Sequence, residues 1–144
     1  MKHKMLGVTL IELMVVIVVI SILASIAVPS YRSYLLRAQR TEGTGALLQI
    51  QQAQEKYFLQ NNRYATNPEL ILTPANGGLG LTNVTPNNRY NVDLFNITAT
   101  TYTARATTRA GGGQTDDNAH CQIFTIDQQG ARTSTPDPIT TCWK

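Results

Sequence analysis

Val8 to Val28 reads VTLIELMVVIVVISILASIAV, an apolar run broken by one charged residue, Glu12. As an α-helix it extends about 31 Å, the thickness of a bilayer hydrocarbon core. The whole chain has 144 residues, which gives room for one modest domain and no core large enough to hide such a helix. Only 15% of residues are charged, against about 25% in ordinary soluble domains. The mean hydropathy of −0.14 averages an intensely apolar start with a polar remainder. This composition excludes a polytopic membrane protein, a free-standing enzyme of ordinary size and a disordered chain. The net charge is +3, and Lys2 and Lys4 supply two of those charges. The basic balance therefore belongs to the extreme N-terminus and does not by itself mark a nucleic-acid binder.

Three readings of the N-terminus compete. It could be a simple membrane anchor. It could be a secretory signal, with Ser25-Ile26-Ala27 as a small-x-small cleavage site, although the run exceeds the usual apolar core of about 7–15 residues. Glu12 also counts against a signal, since a carboxylate there costs about 2.5–3.5 kcal/mol on insertion scales. The third reading rests on Gly7-Val8-Thr9-Leu10-Ile11-Glu12-Leu13, with Pro29 closing the apolar run. This segment resembles the N-terminus of type IV pilins and the related pseudopilins. The resemblance implies that a prepilin peptidase cuts between Gly7 and Val8 on the cytoplasmic side and methylates the new amine of Val8. Val8 stands where the family usually carries Phe.

Glu12 has a local and an intermolecular reading. Thr9-Leu10-Ile11-Glu12 fits a capping box, with Thr9 as N-cap, and a carboxylate suits the positive end of the helix dipole. Between subunits, Glu12 would pair with the Val8 amine of a neighbour, which keeps the buried carboxylate charged. The family uses its glutamate for registry in this way. The intermolecular reading is taken forward, because capping does not require Glu at one fixed distance from the cut.

Helix formers continue beyond Pro29. Tyr31, Leu35, Ala38, Ala46, Ile50, Ala53 and Tyr57 recur at helical steps, and Asn61-Asn62 ends the pattern. Pro29 predicts a kink, because it removes a backbone hydrogen bond and crowds the preceding turn. Gly43 and Gly45 each cost about 1 kcal/mol relative to Ala, and with Pro29 they read either as an ordinary helix with a tolerated kink or as two soft points where the rod bends or unwinds. Arg32, Arg37 and Arg40 read as a solvated face with no ligand.

From residue 62 onward the texture is Thr, Asn, Gly and short apolar alternations. Residues 67–88 carry loop chemistry. Strands are predicted at 90–94, 100–109 and 121–127, with a shorter one from Ala131. The fold class is therefore α+β, a long N-terminal helix packed by its back half on a small antiparallel sheet, as in type IV pilins. The expected organisation is a leader over 1–7, a transmembrane or fibre-core helix over 8–29, an amphipathic continuation over 30–61 and a β head over 62–144.

Cys121 and Cys142 with His120 are too few for a zinc site, and a thiol enzyme would need a distant His, of which only His3 exists. In an exported domain a disulfide is the economical reading. A C-terminal disulfide loop also resembles the pilin pattern and speaks against the secretion pseudopilins. Glu55–Tyr64 (EKYFLQNNRY) with Cys121–Arg132 (CQIFTIDQQGAR) resembles the PilE-type minor pilins.

No catalytic constellation, metal-ligand set or cofactor motif is legible. The expected function is a structural subunit of a type IV pilus, a minor one by resemblance, serving twitching motility, adhesion or DNA uptake. The resemblance implies sister pilins, the prepilin peptidase, a disulfide-forming oxidase and an assembly platform as partners. It also implies an inner-membrane precursor with a periplasmic head that later joins an extracellular fibre. The alternatives are a secretion pseudopilin or a DNA receptor in transformation. For DNA, the head offers Arg63, Arg89, Arg105, Arg109, Arg132 and Lys144 against Glu69, Asp93, Asp116, Asp117, Asp127 and Asp137. That even balance does not favour phosphate binding, unless Arg105, Arg109 and Arg132 converge on one face of the sheet.

Overall fold

The computed structural model describes residues 8–114 and 120–143. Helix α1 spans Leu10–Asn61 and passes through Pro29. Two 3-10 turns follow, Pro68–Leu70 and Pro74–Asn76. The strands are β1 (Tyr90–Phe95), β2 (Thr103–Thr108), β3 (Cys121–Asp127) and β4 (Arg132–Pro136), and a short α2 covers Ile139–Cys142. The chain divides into two compact units between Leu35 and Leu36, so the back half of α1 belongs with the head. Residues 1–7, with Gly7 of the expected cleavage site, lie outside the described residues, as do residues 115–119 and Lys144.

In the first unit the large apolar side chains from Val8 to Val28 are 49–77% exposed. The two serine hydroxyls within this stretch are satisfied along the helix itself. Ser21 Oγ donates to Ile17 O and Ser25 Oγ to Ile22 O, each at 2.7 Å. That arrangement suits a medium without water, where unpaired polar groups are costly.

In the second unit α1 buries Arg40, Gly43, Leu47, Ile50, Gln54 and Tyr57. Steps of three and four place all six on one face. This stripe differs from the one expected from hydrophobicity. Ile50 and Tyr57 belong to it, Ala46 and Ala53 flank it, and Tyr31 and Ala38 are exposed. Arg40, read as solvated, is 7% exposed and part of the packed face. Gly43 has a packing role that the sequence reading did not include, since a Cβ there would stand 3.2 Å from the Tyr90 ring. The missing side chain lets that ring lie against the helix. The helix ends as its sequence dictates. Asn62 adopts φ 53° and donates its N–H to Phe58 O at 2.8 Å, a left-handed cap that Asn tolerates well.

The four strands form an antiparallel meander in the order β1-β2-β3-β4. Tyr90, Val92 and Leu94 of β1, Ala104 and Ala106 of β2, and Phe124 and Ile126 of β3 point into the core with Leu47 and Ile50. The small alanines of β2 leave space for larger neighbours, and Tyr90 packs edge-on to Phe124 with centroids 5.7 Å apart. Strict alternation would put Cys121 and Phe124 on opposite faces. A register shift between Cys121 and Ile123 turns both inward.

Residues 67–88 are tied down more firmly than loop chemistry suggested. Leu70 is 1% exposed, Leu81 N donates to Leu70 O at 3.0 Å, and Leu94 N donates to Asn67 Oδ1 at 2.8 Å.

The two helix glycines should respond oppositely to substitution. Gly43→Leu is expected to lower stability by about 1–3 kcal/mol through overpacking on Tyr90. Gly45 has no neighbour within 4 Å of an added Cβ, so Gly45→Ala should raise stability by up to about 1 kcal/mol. Thermal melting of the two variants checks both signs.

Candidate functional site

The N-terminal element is an apolar rod with one acid. Its first turn is capped as the local reading requires, with Glu12 N donating to Thr9 Oγ1 at 3.3 Å. This bond uses the backbone N–H of Glu12 and leaves its carboxylate to another role. Val8 precedes the helix and is 70% exposed.

The head is fastened by three polar clamps. Gln54, fully buried on α1, donates from Nε2 to Ala65 O at 3.0 Å and accepts from Ala65 N at 2.8 Å. Both polar ends of one side chain thus satisfy the chain that leaves the helix. Glu69 receives Arg63 Nη2 at 2.6 Å and Nη1 at 2.9 Å. It also accepts from Thr66 N at 2.7 Å and Tyr57 OH at 3.2 Å. The Arg63 hydrogen bonds, helped by Thr66 and opposed by burial, hold the Glu69 carboxyl at a pKa of about 2. Glu42 accepts from Asn87 N and Asn87 Nδ2, both at 3.0 Å, and pairs with Arg89 at 3.2 Å. Burial works against its charge, but the hydrogen bonds from Thr85 and Asn87 and the Arg89 cation outweigh burial and hold Glu42 below the usual carboxylate range.

Cys121 and Cys142 form a disulfide across 21 residues. Closing such a loop stabilises a domain by on the order of 3 kcal/mol. Next to it, Trp143 packs edge-on to Phe124 at 5.9 Å and donates Nε1–H to Thr133 O at 2.9 Å. His120, just before Cys121, places Nδ1 2.8 Å from Oδ2 of Asp137 within the disulfide loop.

The head arginines do not converge on one face. Arg105 is opposite Thr125 in the register and is held by Asp93 through two bonds of 3.0 and 2.7 Å. Arg132 pairs with Ile126, a core-facing residue, and therefore belongs to the other pleat. Arg109 donates to Asn88 Oδ1 at 3.3 Å. Sequence reasoning missed Glu42, Gln54 and Trp143 as organisers. Only Glu69, six residues after Arg63, carried a local signal.

A long apolar helix whose back half packs on a four-stranded antiparallel meander, closed by a C-terminal disulfide, is the fold of a type IV pilin. The family described as type IV minor pilin ComP, DNA uptake sequence receptor, matches residues 29–125, and the prokaryotic N-terminal methylation motif matches residues 2–28. The chain belongs to this minor pilin family. It is 34% identical over 88 residues to the type IV wide pilus major component PilA4 of Thermus thermophilus, covering 57% of this chain and 67% of that one. It is 37% identical over 68 residues to type II secretion system core protein G of Aeromonas hydrophila, covering 47% of this chain and 48% of that relative. The match thus spans about half the length of that secretion protein. Among solved structures, the non-core minor pilin PilV of Neisseria meningitidis superposes with a TM-score of 0.51 at 19% identity, covering 72% of this chain and 89% of that one. At that identity the likeness concerns the fold.

Acid should loosen the head through Glu69. Its folded pKa, about 2, lies below the ordinary 4.5. Its contribution is therefore complete above pH 4.5 and is lost as pH falls towards 2. Glu69→Gln should cost about 1–3 kcal/mol at neutral pH and flatten the stability profile across that acid window. Melting curves from pH 7 to pH 2 measure both effects.

Proposed function

We propose that this chain is made as a membrane-inserted precursor, cut between Gly7 and Val8, methylated on Val8 and assembled with other pilins as a minor subunit of a type IV pilus. The observation that carries the reading is the uncovered rod. Residues 8–28 expose an apolar surface that no part of the first unit buries. The same residues lie within the match to the methylation motif. Lipid covers the rod in the precursor and the rods of sister subunits cover it in the fibre. In either setting the Glu12 carboxylate needs a cation. The amine that cleavage creates at Val8 of a neighbour is the partner we assign to it. Pro29, which withholds one backbone donor from α1, is assigned the place where the rod bends.

A second, compatible reading concerns the head. The family match that names a DNA uptake sequence receptor extends over residues 29–125 and so includes β1, β2 and most of β3. We assign the head to DNA binding during uptake and the rod to anchoring that head in the fibre.

Two measurements test the assembly reading. The mature protein should have a mass corresponding to a chain that begins at Val8 with one added methyl group. A chain that begins at Val28 would instead mark conventional secretion. Glu12→Ala should leave processing and membrane residence intact but lower the amount of the subunit in sheared pili several-fold. Normal incorporation of that variant would reduce Glu12 to a helix-cap residue.

A further inference from the structure

The arginines of the head divide by what already holds them. Arg63 is bound by Glu69, Arg89 by Glu42 and Arg105 by Asp93, each at 3.2 Å or less. Their donors and charge are largely committed. Arg132 is different. Its guanidinium carbon lies 4.9 Å from the centroid of the Trp143 ring. The side chain is exposed, and among the described residues its guanidinium makes no hydrogen bond or ion pair.

The ring beneath it is fixed from several directions. Trp143 packs on Phe124 at 85°, and its Nε1–H is bonded to Thr133 O. Its backbone N–H donates to Ile139 O at 2.9 Å, and the preceding residue is locked in the Cys121–Cys142 disulfide. A guanidinium laid on an indole is attracted by the ring's π face. Its planar fork stays free, and little side-chain entropy remains to be lost when it binds. Such a fork matches a phosphate diester, which it can engage with two parallel N–H donors.

We propose that Arg132, seated on Trp143, is the phosphate anchor through which the head holds the DNA backbone. This rests on the DNA-binding reading above. It adds that the disulfide loop contributes to the binding surface by holding Trp143, and that Arg105 does not serve as the anchor although it lies in mid-sheet. The ligand is a backbone phosphate, a contact that positions the duplex without reading its sequence.

The test uses the processed full chain in non-ionic detergent and a fluorescein-labelled 24-base-pair duplex of mixed sequence, with anisotropy read across a salt series. Wild-type protein should bind with salt-dependent affinity. Arg132→Ala should weaken binding by about five- to tenfold at low salt and reduce the slope of log affinity against log salt by about one. Arg132→Lys keeps the charge without the planar fork and should fall between the two. Lys56→Ala removes an equal charge from the exposed face of α1 and should change binding less than twofold. Unchanged melting of each variant shows that the head remains folded. If wild-type protein binds and Arg132→Ala binds equally well, the anchor is wrong while the DNA reading stands. If wild-type protein does not bind the duplex even at low salt, both fall. Binding of inorganic phosphate by Arg132 without an effect on duplex affinity would also overturn the anchor.

Discussion

The head depends on one packed contact, the stripe of α1 from Arg40 to Tyr57 laid over the inner face of the sheet. Four strands and a few short turns cannot enclose a core by themselves, and a small sheet needs a layer on its apolar face. Here that layer is a single helix. At Gly43 the Tyr90 ring lies against the helix where a side chain would otherwise stand. Tyr90 in turn meets Phe124, and Phe124 meets Trp143. A chain of aromatic contacts thus runs from the helix across the sheet to the disulfide loop. A residue with a side chain at Gly43 would lift the first member of that chain, and the displacement would be felt through a core packed as densely as a crystal.

Much of this was legible in the sequence. The apolar run, the helix end at Asn61-Asn62 and the bounds of β3 followed from periodicity and turn chemistry. The stripe on α1 did not, for a physical reason. Three of its six members are Arg40, Gly43 and Gln54, and none of them scores as hydrophobic. Each is buried for what it does there. Gly43 supplies closeness, Gln54 satisfies both backbone groups of Ala65, and Arg40 is engaged within the packed face. Periodicity detects a face that is buried because it is apolar and misses one that is buried because its polar groups are satisfied. The inward turn of both Cys121 and Phe124 was hidden for a similar reason, since it depends on a register shift with β4 that no single strand reveals.

The charge balance of the head shows how little a count says without geometry. Equal numbers of acids and bases could mean a uniform surface or a divided one. The structure divides it. Three arginines are joined to carboxylates, and Asp127 is taken up by the N–H groups of its own turn, Gln129 N at 2.9 Å and Ala131 N at 2.8 Å. A committed ion pair contributes little field beyond its own dimensions in salt. The cation that matters to an incoming anion is the one with donors left over, and Arg132 fits that description better than its neighbours in the sheet.

Glu12 poses the same question in a medium where the answer has larger consequences. Its backbone N–H is used by Thr9, so helix capping is served by a residue that need not be acidic at all. An apolar side chain at position 12 would preserve that bond and remove the cost of placing a carboxylate among hydrocarbon. The acid is therefore unfavourable for insertion and unnecessary for the cap. What it adds is a charge at a defined height on an otherwise featureless rod. Apolar surfaces slide past one another with little preference for register, whereas a carboxylate in a low dielectric strongly favours the one axial offset that brings a cation to it. Under the proposed processing, the amine freed at Val8 of a neighbouring rod would meet that need at the right height. Glu12 would then specify the step of the fibre, and the apolar surface around it would supply the adhesion.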